Sequence, residues 1–289
     1  LLLGMLVFFL FQSSAQIVTE KEIETDQKAV WSIAYSNDGK YIATGGGDKR
    51  IVIRKTGSWE EVARLEGIKD DPLSLCFSNN GKMIAAGGRD KRVTVWNLAS
   101  RQVMLSLKGH KDYVRSLKFS PNDKYIASGS YDKKIYIWNV STGLPEKILT
   151  GHKGEVTSLD FSPSGDALVS GGADKNVIIW NVKTGMVSRT IPAHSSWVRT
   201  VAYNPDGSLI ASGGDDRQIH LWDAYSGEKL NTFLGHKQWV QTLVFSPDGN
   251  YLASGGHDNL IILTELKTGK MIFKSEKQDD YVLNVAFNP

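Results

Sequence analysis

Hydrophobic and polar residues alternate in short runs along most of this chain, and turn-forming residues separate the runs. In residues 114–138 the run VRSLKF is followed by the turn SPND, the run YIASG, an aspartate-containing turn and the run IYIW. A period of two over four to eight residues, bounded by Gly, Pro, Asn or Asp, is typical of β-strands. A plainer fourth run, PEKILT at 145–150, completes the unit. The pattern predicts an all-β protein made of groups of four short strands.

The four-strand unit recurs without insertions. Copies begin at residues 30, 72, 114, 156, 198 and 240, in steps of 42, and a partial copy begins at 282. Four strands in about 40–45 residues is the unit of a radial β-propeller. One such sheet cannot bury both of its faces, so neighbouring blades must stack. We expect residues 16–289 to form six complete four-stranded antiparallel blades and strands of a truncated seventh, the intact protein being seven-bladed.

Short motifs recur at fixed places in these units. Gly-His pairs occur at 109–110, 151–152 and 235–236, with Ala193-His194 as a variant. Trp followed by Asn or Asp ends the third strand at Trp96, Trp138, Trp180 and Trp222. Over residues 29–289 the sequence resembles the WD40 repeat family, in the form of an exported bacterial-type member. The resemblance implies a propeller that binds protein partners and has no catalytic activity.

The resemblance also implies a hydrogen-bonded chain of Trp, Ser, His and Asp in each blade. Indole only donates and carboxylate only accepts, while hydroxyl and imidazole do both, so the residue types suit such a chain. Units three to five hold all four residues and are expected to be the most rigid; unit six has Thr264 for Trp, and units one and two keep the aspartate. The members are His110, Ser128, Asp132 and Trp138; His152, Ser170, Asp174 and Trp180; His194, Ser212, Asp216 and Trp222; His236, Ser254 and Asp258; and Asp48 and Asp90.

Partner contacts in the resembled family lie around the mouth of the central channel, at three positions per repeat. Aromatic residues and arginine dominate the corresponding positions here, and these residue types dominate binding hot spots. The candidates are Trp31, Arg89, Tyr113, Arg115, Tyr131, Glu155, Trp197, Arg199, Asp215, Trp239, His257 and Tyr281. Lysine or arginine follows the turn aspartate in five units; a solvated turn is the favoured interpretation of these residues, and an acidic peptide or loop would suit them if they bind a partner.

Composition narrows the function further. The 289 residues are 41% hydrophobic and 22% charged, as in a folded globular protein, and the net charge of +3 is too small to indicate nucleic acid. Cys76 is the single cysteine, and no metal-ligand spacing, cofactor motif or nucleophile–base pair stands out. We expect a monomeric, non-catalytic module without a cofactor. Two alternatives stay open: a recognition domain for an effector that follows residue 289, and catalysis by Glu155, Asp215 and His257.

The two ends of the sequence differ from the repeats. Residues 1–11, LLLGMLVFFLF, are apolar, and small residues at Ser13 and Ala15 precede Gln16. This order predicts a signal peptide at 1–15 and a periplasmic or secreted protein; a membrane anchor, the alternative, needs about 20 apolar residues. Residues 16–28 are expected to supply the fourth, closing strand of the seventh blade. The final DDYVLNVAFNP is predicted to be an interrupted repeat, the opening strand of that blade.

Overall fold

The computed structural model describes residues 5–11, 17–24 and 29–289, and these form β-strands joined by turns and loops. Six sheets of four antiparallel strands follow one another along the chain, each with the strand order a-b-c-d. The structure confirms the predicted all-β fold with six propeller blades. No helix long and apolar enough to cross a membrane occurs in the described ranges.

The strands lie at matching places in the six blades. Strand a spans Val30–Tyr35, Pro72–Phe77, Val114–Phe119, Val156–Phe161, Val198–Tyr203 and Val240–Phe245. Strand b spans Tyr41–Gly46, Met83–Gly88, Tyr125–Ser130, Ala167–Gly172, Leu209–Gly214 and Tyr251–Gly256. Strand c spans Ile51–Lys55, Arg92–Asn97, Lys134–Asn139, Asn176–Asn181, Ile219–Asp223 and Ile261–Glu265. Strand d spans Glu61–Leu65, Val103–Lys108, Pro145–Thr150, Val187–Pro192, Lys229–Phe233 and Met271–Lys274.

The hydrophobic core lies between neighbouring blades. Ile137 and Leu149 of blade three, for instance, pack with Val156, Leu168 and Trp180 of blade four, and all five are 1% exposed or less. Similar clusters join blades one and two, two and three, four and five, and five and six. Each sheet therefore buries its faces against its neighbours, as the short repeat requires.

Glycine on strand b allows the blades to approach this closely. A Cβ atom added at Gly129 would lie 2.6 Å from Cγ1 of Val156 in the next blade and 3.2 Å from a methyl group of Leu159. These distances are shorter than carbon atoms adopt in a packed core, so Gly129 is required by the contact between sheets.

The six a strands surround a central channel of about 810 Å³. Strand a is the inner edge of its sheet, so its channel-side backbone groups lack a strand partner. Hydroxyl groups of the preceding blade accept some of these N–H groups: Ser116 Oγ accepts Leu159 N–H, and Ser158 Oγ accepts Val201 N–H, both at 3.1 Å. The inner strands are thereby tied to one another around the channel.

Residues 282–289 continue the register of the ring beyond blade six. Val282 packs against Gly255, and Asn284 Nδ2 donates to the Trp31 carbonyl of blade one at 2.9 Å. The prediction that DDYVLNVAFNP forms the opening strand of a seventh blade is wrong for this structure, because residues 279–289 are not in a β-strand. A strand needs a hydrogen-bonded neighbour, and no described strand pairs with residues 279–289.

The N-terminal strand also differs from expectation in its pairing. Ile17–Glu24, inside the predicted segment 16–28, pairs antiparallel with Met5–Phe11 in a separate two-stranded sheet. Strand d pairs with strand c in each complete blade, and the described residues contain no strand c beyond those of the six blades. Closure of a seventh blade by this segment therefore stays a prediction, and so does the signal peptide, whose cleavage site at Ser13 and Ala15 lies outside the described residues.

Candidate functional site

A buried chain of hydrogen bonds links four side chains of blade four. Trp180 Nε1–H donates to Ser170 Oγ at 2.8 Å, Ser170 Oγ lies 2.7 Å from His152 Nε2, and His152 Nδ1 lies 3.0 Å from Asp174 Oδ2. Because indole can only donate and carboxylate can only accept, the network assigns the remaining protons: Ser170 donates to Nε2, and Nδ1–H donates to Asp174. Each of these buried polar groups has a partner.

The same arrangement recurs in the other blades that hold the four residue types. Blades three and five repeat it with distances of 2.8–2.9 Å, through His110, Ser128, Asp132 and Trp138 and through His194, Ser212, Asp216 and Trp222. In blade six, His236 contacts Ser254 and Asp258, each at 2.9 Å, and Thr264 stands in place of Trp. The repeated acids and histidines are thus distributed over separate blades and serve the scaffold.

Blades one and two replace the chain with other contacts. Ala86 carries no hydroxyl, and Trp96 Nε1–H donates instead to the Glu66 carbonyl oxygen at 2.8 Å. Arg54 takes the tryptophan position of blade one; it is 8% exposed, and its Nη2 lies 3.9 Å from Glu61 Oε2.

Asp48 and Asp90 stabilise their b–c turns although blades one and two lack the complete chain. They accept the backbone N–H groups of Arg50 at 3.2 Å and Arg92 at 3.1 Å. Asp90 Oδ2 also accepts the N–H of Lys69 at 3.4 Å.

The electrostatics of the complete chains fit a structural role. Burial alone would raise the pKa of Asp174, but the hydrogen bond from His152 and its electrostatic interaction with the carboxylate, together with two backbone N–H groups, lower it to about 2. The pKa of Asp216 is also about 2, because His194 and backbone N–H groups outweigh the burial that would raise it. Both acids are therefore charged at neutral pH and bound to fixed donors.

The repeats also match a known family. The family model described as WD domain, G-beta repeat matches residues 19–54, 59–97, 101–139, 143–181, 185–223 and 227–264. The chain belongs to this family. The second to sixth matches each run from strand d of one WD40 blade through strand c of the next, and the first begins inside Ile17–Glu24. A comparison with curated proteins gives no significant match. WD40 propellers are generally non-catalytic scaffolds that bind proteins.

The predicted contact residues lie on one end of the WD40 ring, which we call the top face. It is formed by the d–a loops and the b–c turns, whereas the a–b and c–d turns meet at the opposite end, where Val140 N–H donates to the Lys124 carbonyl at 2.9 Å. The residue after each turn aspartate has a positive φ angle, from 64° at Lys49 to 71° at Lys175. In the first five blades this residue is basic and exposed at the outer rim of the top face, and in blade six it is the half-buried Asn259.

Five of the predicted residues form a continuous aromatic stack across blades five and six and the C-terminal segment. The aromatic stack consists of Trp197, Arg199, Trp239, His257 and Tyr281. The Arg199 guanidinium lies 4.7 Å and 4.8 Å from the ring centroids of Trp197 and Trp239. His257 lies 4.8 Å from Trp239 and 4.3 Å from Tyr281, with the last two rings 5° from parallel. Trp239 is 40% exposed and Tyr281 is 54% exposed.

An ion pair fixes the centre of the aromatic stack. Arg199 Nε and Nη2 donate to the two carboxylate oxygens of Asp215 at 2.5 and 2.9 Å. Burial and the positive charge of Arg199 lower the pKa of His257, so a neutral imidazole stacks against Tyr281 at pH 7. The stack therefore presents an aromatic surface to a partner, and the charge of Arg199 within it is already neutralised by Asp215.

Five further predicted residues surround a second feature of the top face, which we call the arginine cavity. It has a volume of about 250 Å³ and is lined by Trp31, Leu73, Arg89, Tyr113, Arg115, Tyr131 and Leu283. Arg89 Nη1 lies 3.3 Å from Asp71 Oδ2, outside the lining, and the Arg89 guanidinium lies 5.6 Å from the Trp31 ring centroid. Arg115 Nη1 donates to the Leu73 carbonyl oxygen at 3.3 Å.

The proposed catalytic trio is not assembled as one site. Asp215 is held by Arg199, and His257 is stacked between Trp239 and Tyr281. Glu155 belongs neither to the aromatic stack nor to the arginine cavity. Within the described part of the chain, no hydrogen bond joins any two of Glu155, Asp215 and His257.

One cluster was not predicted from the sequence. Ligating atoms of His194, Asp216 and His220 lie within 4.8 Å of one another, as in many metal sites. Both ring nitrogens of His194 are already hydrogen-bonded, to Ser212 and Asp216, and His220 Nδ1 contacts Thr232 Oγ1 at 2.9 Å. The cluster is therefore satisfied by protein partners. His220 itself was detectable as the one histidine on a strand c.

Proposed function

We propose that this WD40 propeller is a non-catalytic interaction platform that binds a protein partner on its top face. The aromatic stack is the observation that carries the proposal. Large aromatic side chains bury much area at low entropic cost, and hot spots of protein interfaces are rich in Trp, Tyr and Arg. Here Trp239 and Tyr281 stay 40% and 54% exposed although their rings are held rigidly by neighbours.

Preorganisation strengthens this proposal. Arg199 is clamped by Asp215 and lies between two indole rings, so ordering the stack on binding costs little further side-chain entropy. Isolated exposed aromatics are common on protein surfaces, but a row of stacked rings beside the channel mouth forms one contiguous surface. A partner segment that covers this row would exclude water from it.

Affinity capture with two variants tests the proposal. The double substitution Trp239→Ala and Tyr281→Ala removes the exposed part of the stack, and we expect it to abolish capture of the partner. Tyr225→Ala is the matched control, because Tyr225 is 77% exposed on a c–d turn at the opposite end of the ring. If the wild type and the double variant have the same melting temperature and capture the same proteins equally well, the proposal is contradicted.

We also infer that binding takes place outside the cytoplasm, from the predicted signal peptide at residues 1–15. Mass spectrometry of the protein in periplasmic and secreted fractions tests this, with Gln16 as the expected first residue. Retention of residues 1–15 would contradict the cleaved signal peptide, and recovery of the protein in the cytoplasmic fraction alone would contradict binding outside the cytoplasm.

A further inference from the structure

The two arginines at equivalent places in blades three and five have different surroundings. Arg115 and Arg199 are 84 residues apart, two repeats of 42, and both lie just inside strand a. Arg199 is neutralised by Asp215 through two hydrogen bonds. The residue equivalent to Asp215 in blade three is Tyr131, which carries no charge. The internal counter-ion of blade five is thus replaced by a phenol in blade three.

Arg115 consequently keeps an uncompensated positive charge. Its contacts are the Leu73 carbonyl oxygen and Tyr131, and among the described residues no carboxylate forms an ion pair with it. Burial, with a further contribution from the positive charge of Arg199, lowers the pKa of the Arg115 guanidinium. A partly buried charge without a counter-ion is unfavourable, and an anion of suitable shape relieves the penalty.

We propose that the arginine cavity binds the carboxylate side chain of an aspartate or glutamate residue of the protein partner. The inference rests on the proposed platform function and names one chemical group that the partner must carry. The residues that line the cavity include two arginines and no acid. Trp31, Tyr113 and Tyr131 supply apolar walls for the methylene stem of such a side chain, and the guanidinium of Arg115 is a fixed donor for its oxygens.

Charge balance favours a carboxylate over a phosphoryl group. Arg89 already shares its charge with Asp71 at 3.3 Å, which leaves Arg115 as the one uncompensated cation of the lining. One carboxylate brings one negative charge, whereas a phosphoryl group brings nearly two at neutral pH. The volume of about 250 Å³ accommodates a single acidic side chain.

Short peptides test the proposal without knowledge of the partner. The probes are acetyl-Ala-Glu-Ala-amide, its uncharged Gln counterpart and its phosphoserine counterpart, titrated at constant ionic strength into ¹⁵N-labelled protein. The indole N–H signal of Trp31, one of eight tryptophans, reports on the cavity. We expect a saturable shift with the Glu peptide, at least about tenfold weaker binding of the Gln peptide, and no tighter binding of the phosphoserine peptide.

Two variants of blade three connect this binding to Arg115. Arg115→Gln removes the cation, and Tyr131→Asp supplies the internal counter-ion of blade five, so both should lose the Glu-peptide shift. Both should melt at or above the wild-type temperature without peptide, because Arg115→Gln removes the uncompensated charge and Tyr131→Asp provides it with a counter-ion. Lys183→Gln, an exposed charge change on a c–d turn, should keep the shift.

The contrary outcomes are distinct. No saturable shift, equal shifts with the Glu and Gln peptides, tighter binding of the phosphoserine peptide, or an unchanged shift in Arg115→Gln would each overturn the carboxylate assignment. A clear drop in melting temperature of Arg115→Gln would assign Arg115 to the scaffold. In each of these cases the partner would still be captured through Trp239 and Tyr281. Failure of the carboxylate assignment is therefore distinguishable from failure of the proposed platform function.

Discussion

Removal of one hydroxyl group, in Ser170→Ala, is expected to destabilise blade four strongly. Ser170 is fully buried and lies between the Trp180 indole and the His152 imidazole, at 2.8 and 2.7 Å. The substitution leaves the Trp180 N–H and the Nε2 lone pair of His152 without their partner, and room for a compensating water is small in a core at native packing density. Each orphaned buried group costs about 1–3 kcal/mol, so for the two groups we expect a loss of about 2–6 kcal/mol.

Urea unfolding of a double-mutant cycle measures this loss and its origin. Ser170→Ala, Trp180→Phe and the double variant are compared with wild type, with fluorescence and circular dichroism as coincident probes. The double variant has no indole N–H to orphan, so its destabilisation should be smaller than the sum of the two single losses by at least about 1 kcal/mol. Additive losses, or a loss below about 0.5 kcal/mol for Ser170→Ala, would refute the reasoning.

Three further predictions test the packing, the pH dependence and the local rigidity. Gly129→Ala should cost about 1–3 kcal/mol in urea unfolding, because its Cβ would lie 2.6 Å from Val156, and a cost near zero would show that the blades adjust freely. Burial, His194 and Lys229 lower the pKa of His220 to about 4 from 6.5, so stability should fall as the pH drops from 6.5 towards 4. The His220–Thr232 pair of blade five corresponds to Ile178–Thr190 of blade four, so His220→Ile should be tolerated and should remove about 2 kcal/mol of that fall; an unchanged pH profile would contradict the assignment. Amide hydrogen exchange should be slowest in blades three to five, which hold complete hydrogen-bonded chains, and equal protection of blade two would contradict this expectation.

The sequence was sufficient for the parts of the structure that repeat. A fixed step of 42 residues places each strand, each turn and each Trp, Ser, His and Asp at the same register, so one unit predicts the other five. The contacts of Ser170 with Trp180 and His152 were implied by the resemblance to the WD40 family, and the residue types suit them because hydroxyl and imidazole can both donate and accept.

The pairing of residues across the top face was not predictable in this way. Arg199 pairs with Asp215 within blade five, but its stacking on Trp239 depends on the distance between two neighbouring blades, which the spacing along the chain does not contain. The uncompensated Arg115 becomes visible only when Tyr131 is seen in the place of Asp215. His220 and the C-terminal segment were missed or misjudged for the same reason, since each depends on a contact outside its own repeat.

Site-specific photo-crosslinking is the most direct test of the central claim that the partner binds the top face. A photoreactive phenylalanine analogue is placed at position 239 in the aromatic stack, or at position 225 on the c–d turn at the other end, in separate preparations of the full chain. The account predicts a crosslinked partner from position 239 and none from position 225. Crosslinking of the same partner from position 225 alone, or from both positions equally, would contradict it.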